Sequence, residues 1–171
     1  MLKKILVTSS LATLALVAGA AHAGGYVGAS VGHSEFPDDF DNSISFSVKG
    51  GYKFSENFAF EAAYLNLGKA DDGISPVWEA EVTGINTSVV GIAPINQNLE
   101  VFAKVGTFFW SVDLSEEGYG KIAEDDGTDI GFGFGGAYHI TDDISVFAEY
   151  QRFDVDDGDI DNFSVGTNLY F

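Results

Sequence analysis

The stretch Ile44-Ser45-Phe46-Ser47-Val48-Lys49-Gly50-Gly51-Tyr52 changes character from one residue to the next. Ile44, Phe46, Val48 and Tyr52 fall on one face; Ser45, Ser47, Lys49 and Gly51 fall on the other. A period of two belongs to an extended strand, whose successive side chains point to opposite sides, and not to a helix with its period of 3.6. This strand has one face suited to an apolar medium and one suited to a polar or cramped space.

The same pattern continues on both sides of it. Phe58, Phe60, Ala62 and Tyr64 share a face, with Glu61 opposite. At the far end, Phe163, Val165, Thr167, Leu169 and Phe171 oppose Ser164, Gly166, Asn168 and Tyr170. Eight such segments can be read, over residues 26–33, 44–52, 58–66, 82–93, 99–112, 130–140, 144–153 and 162–171. The connections alternate in length. Residues 53–57, 94–98 and 141–143 are short, whereas 34–43, 67–81, 113–129 and 154–161 are longer and rich in Asp, Glu and Gly. This layout predicts an all-β, eight-stranded antiparallel up-and-down transmembrane β-barrel. An even strand number puts both chain ends at the short-turn, periplasmic side.

A soluble calyx has the same alternation but keeps its apolar face inside; a membrane barrel turns it out, because lipid is the outer solvent. Here one face collects Val27, Ala29, Val31, Ile85, Val89, Val101, Val105, Phe132, Phe134 and Val146. The other collects Gly28, Ser30, Gly32, Asn86, Ser88, Gly133, Gly135, Gln151 and Asn168. Small residues fit the narrow lumen of eight strands. Tyr52, Phe58, Tyr138 and Phe171 toward one end, with Tyr64, Phe109 and Phe163 toward the other, match two interfacial aromatic girdles. The competing architecture is a β-sandwich using the same apolar face as its core.

Residues 1–23 stand apart from the barrel domain, 24–171. Lys3 and Lys4 precede an apolar run from Ile5 to Val17, and Ala21-His22-Ala23 is a small-residue cleavage pattern, so a cleaved signal peptide is expected. The chain has no cysteine, so disulfides cannot hold it together. Its 26 Asp and Glu against 8 Lys and Arg exclude nucleic-acid binding through phosphates. Such acidity can signal disorder, but disordered chains are poor in aromatics, and 14% of this chain is aromatic.

The ordered set of segments resembles the eight-stranded outer-membrane family of OmpA-type transmembrane domains and OmpX/Ail-type small barrels. Gly50-Gly51-Tyr52-Lys53-Phe54 with Phe60-Glu61-Ala62-Ala63-Tyr64 resembles the second hairpin of that family. Val101-Phe102-Ala103-Lys104-Val105-Gly106 with Trp110 resembles its fifth strand, and Ala148-Glu149-Tyr150-Gln151 its seventh. The terminal alternation of Phe163, Val165, Thr167, Leu169 and Phe171 is similar to the signal read by the barrel-assembly machinery. The resemblance implies residence in the cell outer membrane of a Gram-negative bacterium. Its expected partners are outer-membrane lipid, lipopolysaccharide and the assembly machinery, with the protein a monomer. OmpA itself carries a peptidoglycan-binding domain after its barrel; no such domain is read here, so a cell-wall tether is not implied.

Four charges fall on the inward face: Lys49, Glu61, Lys104 and Glu149. Buried charges are costly unless paired. If Tyr52 faces Phe58 across the second turn, Lys49 faces Glu61 directly. Lys104 and Glu149 lie at matching depths on strands separated by Gly133 and Gly135, within reach of each other, and the family's similar buried charge network supports that pairing. An ion path is the functional alternative, but Phe102, Phe108, Trp110, Phe147 and Tyr170 also point inward by parity and would obstruct it. No catalytic centre, cofactor or defined metal site is expected. Small barrels that act on lipid acyl chains use His with Ser, but His33 and Ser34 are successive strand residues on opposite faces, and His139 stands alone near the inner rim.

Most acidic residues fall in the four longer connections, among them Glu35, Asp38, Asp71, Glu81, Asp113, Asp126, Asp129, Asp154, Asp159 and Asp161. They predict a negative crown facing outside, a solvated surface first and a loose divalent-cation surface second. The functional expectation is a barrel with a structural role in the envelope. The alternatives are a surface adhesion or interaction protein acting through its loops and, less favoured, a narrow, porin-like pore.

Overall fold

The computed structural model describes residues 24–35, 43–71, 78–116, 120–155 and 158–171. The signal-peptide expectation for 1–23 lies outside them, as do Asp38 and the other acidic residues of the expected crown that fall within 36–42, 72–77, 117–119 and 156–157.

Eight strands follow one another: β1 (Gly25–Glu35), β2 (Ser43–Lys53), β3 (Phe58–Asp71), β4 (Trp78–Pro94), β5 (Leu99–Glu116), β6 (Gly120–His139), β7 (Ile144–Val155) and β8 (Gly158–Tyr170). Each pairs antiparallel with the next, and β8 pairs with β1 from Tyr26↔Tyr170 to Glu35↔Asp161, so the sheet closes into a barrel. The expected segments are all present, with the expected faces. Val31, Phe46, Phe60, Val105, Phe134 and Val165 are exposed, while Lys49, Glu61, Asn86, Lys104, Glu149 and Asn168 are buried. From Phe163 to Phe171 a strand advances about 26 Å along itself. Tilted by about 40°, that is about 20 Å across a bilayer, close to the roughly 25 Å apolar band of such barrels.

Five strands run well past their expected limits. β3 continues past Asn66, β4 begins before Val82, β5 continues past Val112, β6 begins before Ile130, and β8 begins before Asn162. Most of the expected loops at 67–81 and 113–129 are therefore paired strand. The cause is physical: backbone pairing does not stop where lipid stops, but the apolar half of the alternation does, because water then bathes both faces. Apolar periodicity marks the membrane band and not the strand. β3 bends within this extension at Gly68 (φ 93°), where the register shifts. Its N–H donates to Asn66 Oδ1 (2.9 Å), and a side chain there would run into Ser43 and the Ile44 carbonyl. Only glycine takes that backbone conformation at little strain.

The three short turns share one construction. In Phe54-Ser55-Glu56-Asn57-Phe58, the Phe54 and Ser55 N–H groups both donate to the Phe58 carbonyl. Ile95-Asn96-Gln97-Asn98-Leu99 and Ile140-Thr141-Asp142-Asp143-Ile144 repeat this bond for bond. The polar second residue caps the turn: Ser55 Oγ accepts from Asn57 N (3.3 Å), Asn96 Oδ1 from Asn98 and Leu99 N (both 2.9 Å), and Thr141 Oγ1 from Ile144 N (3.1 Å). Each turn is also tied to the next hairpin. Asn98 accepts at its carbonyl from His139 N (2.7 Å) and donates through its side chain to the His139 carbonyl (3.2 Å). Asn98→Ala removes the side-chain arm and should lower stability by about 1 kcal/mol, read as a shift in the urea unfolding midpoint; an unchanged midpoint would show the arm to be idle.

Inward aromatic rings lie over glycines of neighbouring strands. A side chain on Gly51 would collide with the Tyr26 ring, on Gly84 with Phe108, on Gly127 with Trp110, and on Gly166 with Phe147. Large against small is how a narrow lumen is filled to protein density.

Candidate functional site: a charged ring between two apolar plugs

The lumen is layered. Toward the long-hairpin end, Ala63, Leu65, Leu67, Val82, Phe108, Trp110, Phe153 and Ile160 form one buried apolar cluster. Toward the short-turn end, Tyr26, Ala59, Val90 and Ile92 form another, with Phe102 and Tyr170 packed on it. The four predicted charges meet between the two.

They close into a ring of alternating sign. Lys49 Nζ lies 3.3 Å from Glu61 Oε2, and Lys104 Nζ lies 2.8 Å from Glu61 Oε1. Lys104 contacts Glu149 Oε1, and Glu149 Oε2 lies 3.7 Å from Lys49 Nζ. All four side chains are 5% exposed or less. The Lys49 ammonium also sits 3.9 Å above the centre of the Phe147 ring, where the ring's negative face attracts it. Tyr26 donates its hydroxyl to Glu61 Oε2 (2.8 Å), so Glu61 holds both lysines and the tyrosine.

The expected geometry of the first pair needs correction. Lys49 does not face Glu61 directly. The register runs Lys49↔Ala63, Gly51↔Glu61, Tyr52↔Phe60 and Lys53↔Ala59. The second turn closes on Phe54 and Phe58 instead of Tyr52 and Phe58, which shifts the pairing by two residues and makes the contact diagonal. A shift of two preserves the face, so the long lysine still reaches. Lys104 does reach Glu149 across β6, over Gly133 and Gly135.

Sequence reasoning missed three arrangements. Tyr26 joins the ring because it pairs with Gly51, which itself pairs with Glu61; inward parity was legible, but depth required the register of two hairpins. At the short-turn mouth, Glu100 Oε2 lies 3.4 Å from both Lys53 Nζ and His139 Nε2, and Lys53 sits 5.0 Å over the Tyr170 ring. A cavity of about 20 Å³ remains beside this cluster, room for about one water. On the outer face, Arg152 forms a bidentate pair with Asp161 (2.6 and 2.7 Å), which also accepts from the Tyr150 hydroxyl (2.6 Å).

The expected acidic crown is partly engaged. Asp161 holds Arg152, Glu81 accepts from Asn66 (2.9 Å), and Asp129 turns inward to accept from Trp110 Nε1 (2.7 Å). Among the described residues, no three acidic or histidine side chains come together as a metal-ligand set. His33 is exposed on the outer face, while Ser34 is buried and donates to Asn162 Oδ1 (3.2 Å). Phe163, Val165, Thr167, Leu169 and Phe171 all face outward. Phe171 lies one residue past the end of β8, and its N–H donates to the Gly25 carbonyl (3.0 Å). A larger furrow of about 700 Å³ lies among Val31, Ile44, Phe134, Tyr150 and Phe163, with Glu149 also on its lining.

A closed eight-stranded barrel, apolar outside and polar and packed inside, belongs to the class of outer-membrane β-barrels. The chain belongs to the outer membrane protein beta-barrel domain family, which it matches over residues 5–171. It is 28% identical to outer membrane protein A of Escherichia coli O157:H7 over 136 residues, 74% of this chain and 39% of that protein. Its similarity to outer membrane protein A of Shigella flexneri is 27% over 74% of this chain and 40% of that protein. The match thus spans about two fifths of these relatives' length. Among solved structures, Neisserial surface protein A superposes with a TM-score of 0.71 at 16% identity, over 87% of this chain and 98% of that one. Ail, the attachment invasion locus protein of Yersinia pestis, gives 0.62 at 15%, over 88% and 100%. At such identities these likenesses speak for the fold. Family and fold together place the protein in the outer membrane.

Proposed function

We propose that this protein is a structural barrel of the outer membrane, exported with residues 1–23 removed. Its short turns and both termini face the periplasm, and its long hairpins face outside. The observation that carries this reading is the filled lumen: a neutral ring of four charges held between two apolar clusters among the described residues. A filled barrel offers rigidity and a lipid-facing surface, and the ring and its flanking clusters stand in the way of an aqueous path. The lipid-facing band fits lipid and lipopolysaccharide as its surroundings, and the outward terminal alternation fits recognition by the assembly machinery.

The test is complementation of a gene deletion. A variant whose hairpins are shortened above the lipid band, at 67–81 and 113–129, should restore resistance to detergent and large antibiotics as the full chain does. N-terminal sequencing of the recovered barrel should begin at Gly24. If only the full-length hairpins restore the envelope, the protein acts through its exposed ends and the structural reading is wrong.

A further inference from the structure

The cavity of about 20 Å³ at the short-turn mouth touches the charged ring. Lys53 and Glu100 line it at the mouth, Glu61 lines it at the ring, and Tyr26, Tyr170 and Asn168 stand along its sides. Lys53 and Glu100 are partly exposed, while Glu61 is buried. One small space therefore joins a group that solvent reaches to the hub of the ring. Its wall also holds an unpaired polar atom. Asn168 is 6% exposed, and its Oδ1 has no hydrogen-bond partner among the described residues. The rest of the amide is engaged, since Nδ2 donates to Ser145 Oγ (3.4 Å). Turning the amide over gives Oδ1 the Ser145 hydroxyl and leaves an N–H unpaired instead, so one polar atom lacks a partner either way. Asn168 pairs with Gly28 of β1 and Ser145 of β7. A side chain on Gly28 would run into Asn168 Oδ1 and press on the Lys49 stem. The glycine thus keeps the amide beside the ring as well as beside the cavity.

A buried polar atom left unpaired is costly, and a bound water is the usual remedy where the space is polar and large enough for one. This cavity meets both conditions. We propose that a water molecule bound at Asn168 makes the cavity a proton inlet from the short-turn mouth to Glu61. The water donates one hydrogen to Asn168 Oδ1 and the other to a carboxylate, Glu100 or Glu61. A solvent proton taken up at Glu100 passes to the water as the water releases one of its own to Glu61. The water ends unchanged, and one proton has moved inward. The inlet stops at the ring, where Lys49 and Lys104 hold Glu61. A space for one water serves protons and is too small for a hydrated ion. The inlet does not depend on which end of the barrel faces the periplasm.

Nuclear magnetic resonance of the folded barrel in lipid nanodiscs reads both halves of the proposal. In the parent chain, a long-lived water should show contacts to the Asn168 side-chain amide and to the Ala137 methyl, which lines the same cavity. The Lys104 ammonium protons report on the ring, because they hydrogen-bond Glu61. Asn168→Leu fills the cavity and removes the acceptor. Exchange of those protons with solvent must then wait for the barrel to open locally, and should slow about tenfold or more. Asn168→Ser keeps a polar group and leaves more room, so exchange should be at least as fast as in the parent chain. Missing water contacts in the parent chain overturn the proposal. Unchanged exchange in Asn168→Leu also overturns it, since protons then enter elsewhere. Equal slowing in both variants makes the amide a packing element and overturns it too. Should Asn168→Leu fail to fold, the water contacts of the parent chain and the exchange rate of Asn168→Ser decide.

Discussion

Glu61→Gln should destabilise the folded barrel by about 3–5 kcal/mol, the loss typical when one partner of a buried ion pair is removed. Glu61 is the hub of the ring. Without its charge, Lys49 and Lys104 share Glu149 alone, and one positive charge is left uncompensated between two apolar clusters. Lys104→Met should cost a similar amount, by leaving two carboxylates on one ammonium. Removing Glu61 and Lys104 together restores neutrality through Lys49 and Glu149. The double variant should therefore lose less than the sum of the singles, with a coupling of roughly 0.5–3 kcal/mol. The cycle between Lys49→Met and Glu61→Gln should show weaker coupling, since that contact is 3.3 Å and the Lys104 contact is a 2.8 Å hydrogen bond. Urea unfolding in lipid vesicles measures all of these. Additive losses would show that the ring does not act as a unit.

The second large effect concerns arrival in the membrane. Phe171→Ser should lower the amount of folded, heat-modifiable barrel in cells several-fold. The ring of Phe171 lies over Gly25, and its N–H closes the seam between the two ends of the sheet. Those local contacts are few, so the same variant refolded from urea into detergent should reach nearly the yield of the parent chain. A loss confined to cells points to recognition of the terminal alternation by the assembly machinery. Equal losses in both settings would mean that Phe171 acts by closing the seam, and unchanged assembly in cells would sink the signal reading.

The fold was legible because lipid writes a strong pattern. Val27, Val31, Phe60, Val105 and Val165 had to face outward, and parity then turned Lys49, Glu61, Lys104 and Glu149 inward without any knowledge of pairing. Parity is blind to slips of two residues, and the two-residue error at the second hairpin was of that kind. The information that fixes it lies in the turn, where Phe54 and Phe58 close a pattern repeated at Ile95 and Ile140. The ends of β3 to β6 were hidden for another reason. Beyond the lipid the pairing persists but the residues no longer need to alternate, so Glu79, Asp113 and Asp125 read as loop. The acids that turn back on the barrel, Asp129 to Trp110 and Asp161 to Arg152, depend on cross-strand neighbours and could not be told from solvated ones.

The distribution of the four charges along the chain bears on the order of events during insertion. Lys49 and Glu61 sit on adjacent strands and neutralise each other as soon as β2 and β3 meet. Lys104 on β5 has only Val90 and Gly133 as its cross-strand neighbours, and Glu149 on β7 has only Gly135 and Ser164. A sheet that has delivered β1 to β5 therefore holds one unmatched ammonium, and it stays unmatched until β7 arrives. In hydrocarbon that intermediate is penalised by several kcal/mol. Growth into the bilayer one hairpin at a time would stall there, whereas a curled sheet that enters with β7 already facing β5 avoids the barrier, so the arithmetic of charge along the chain favours a concerted last step.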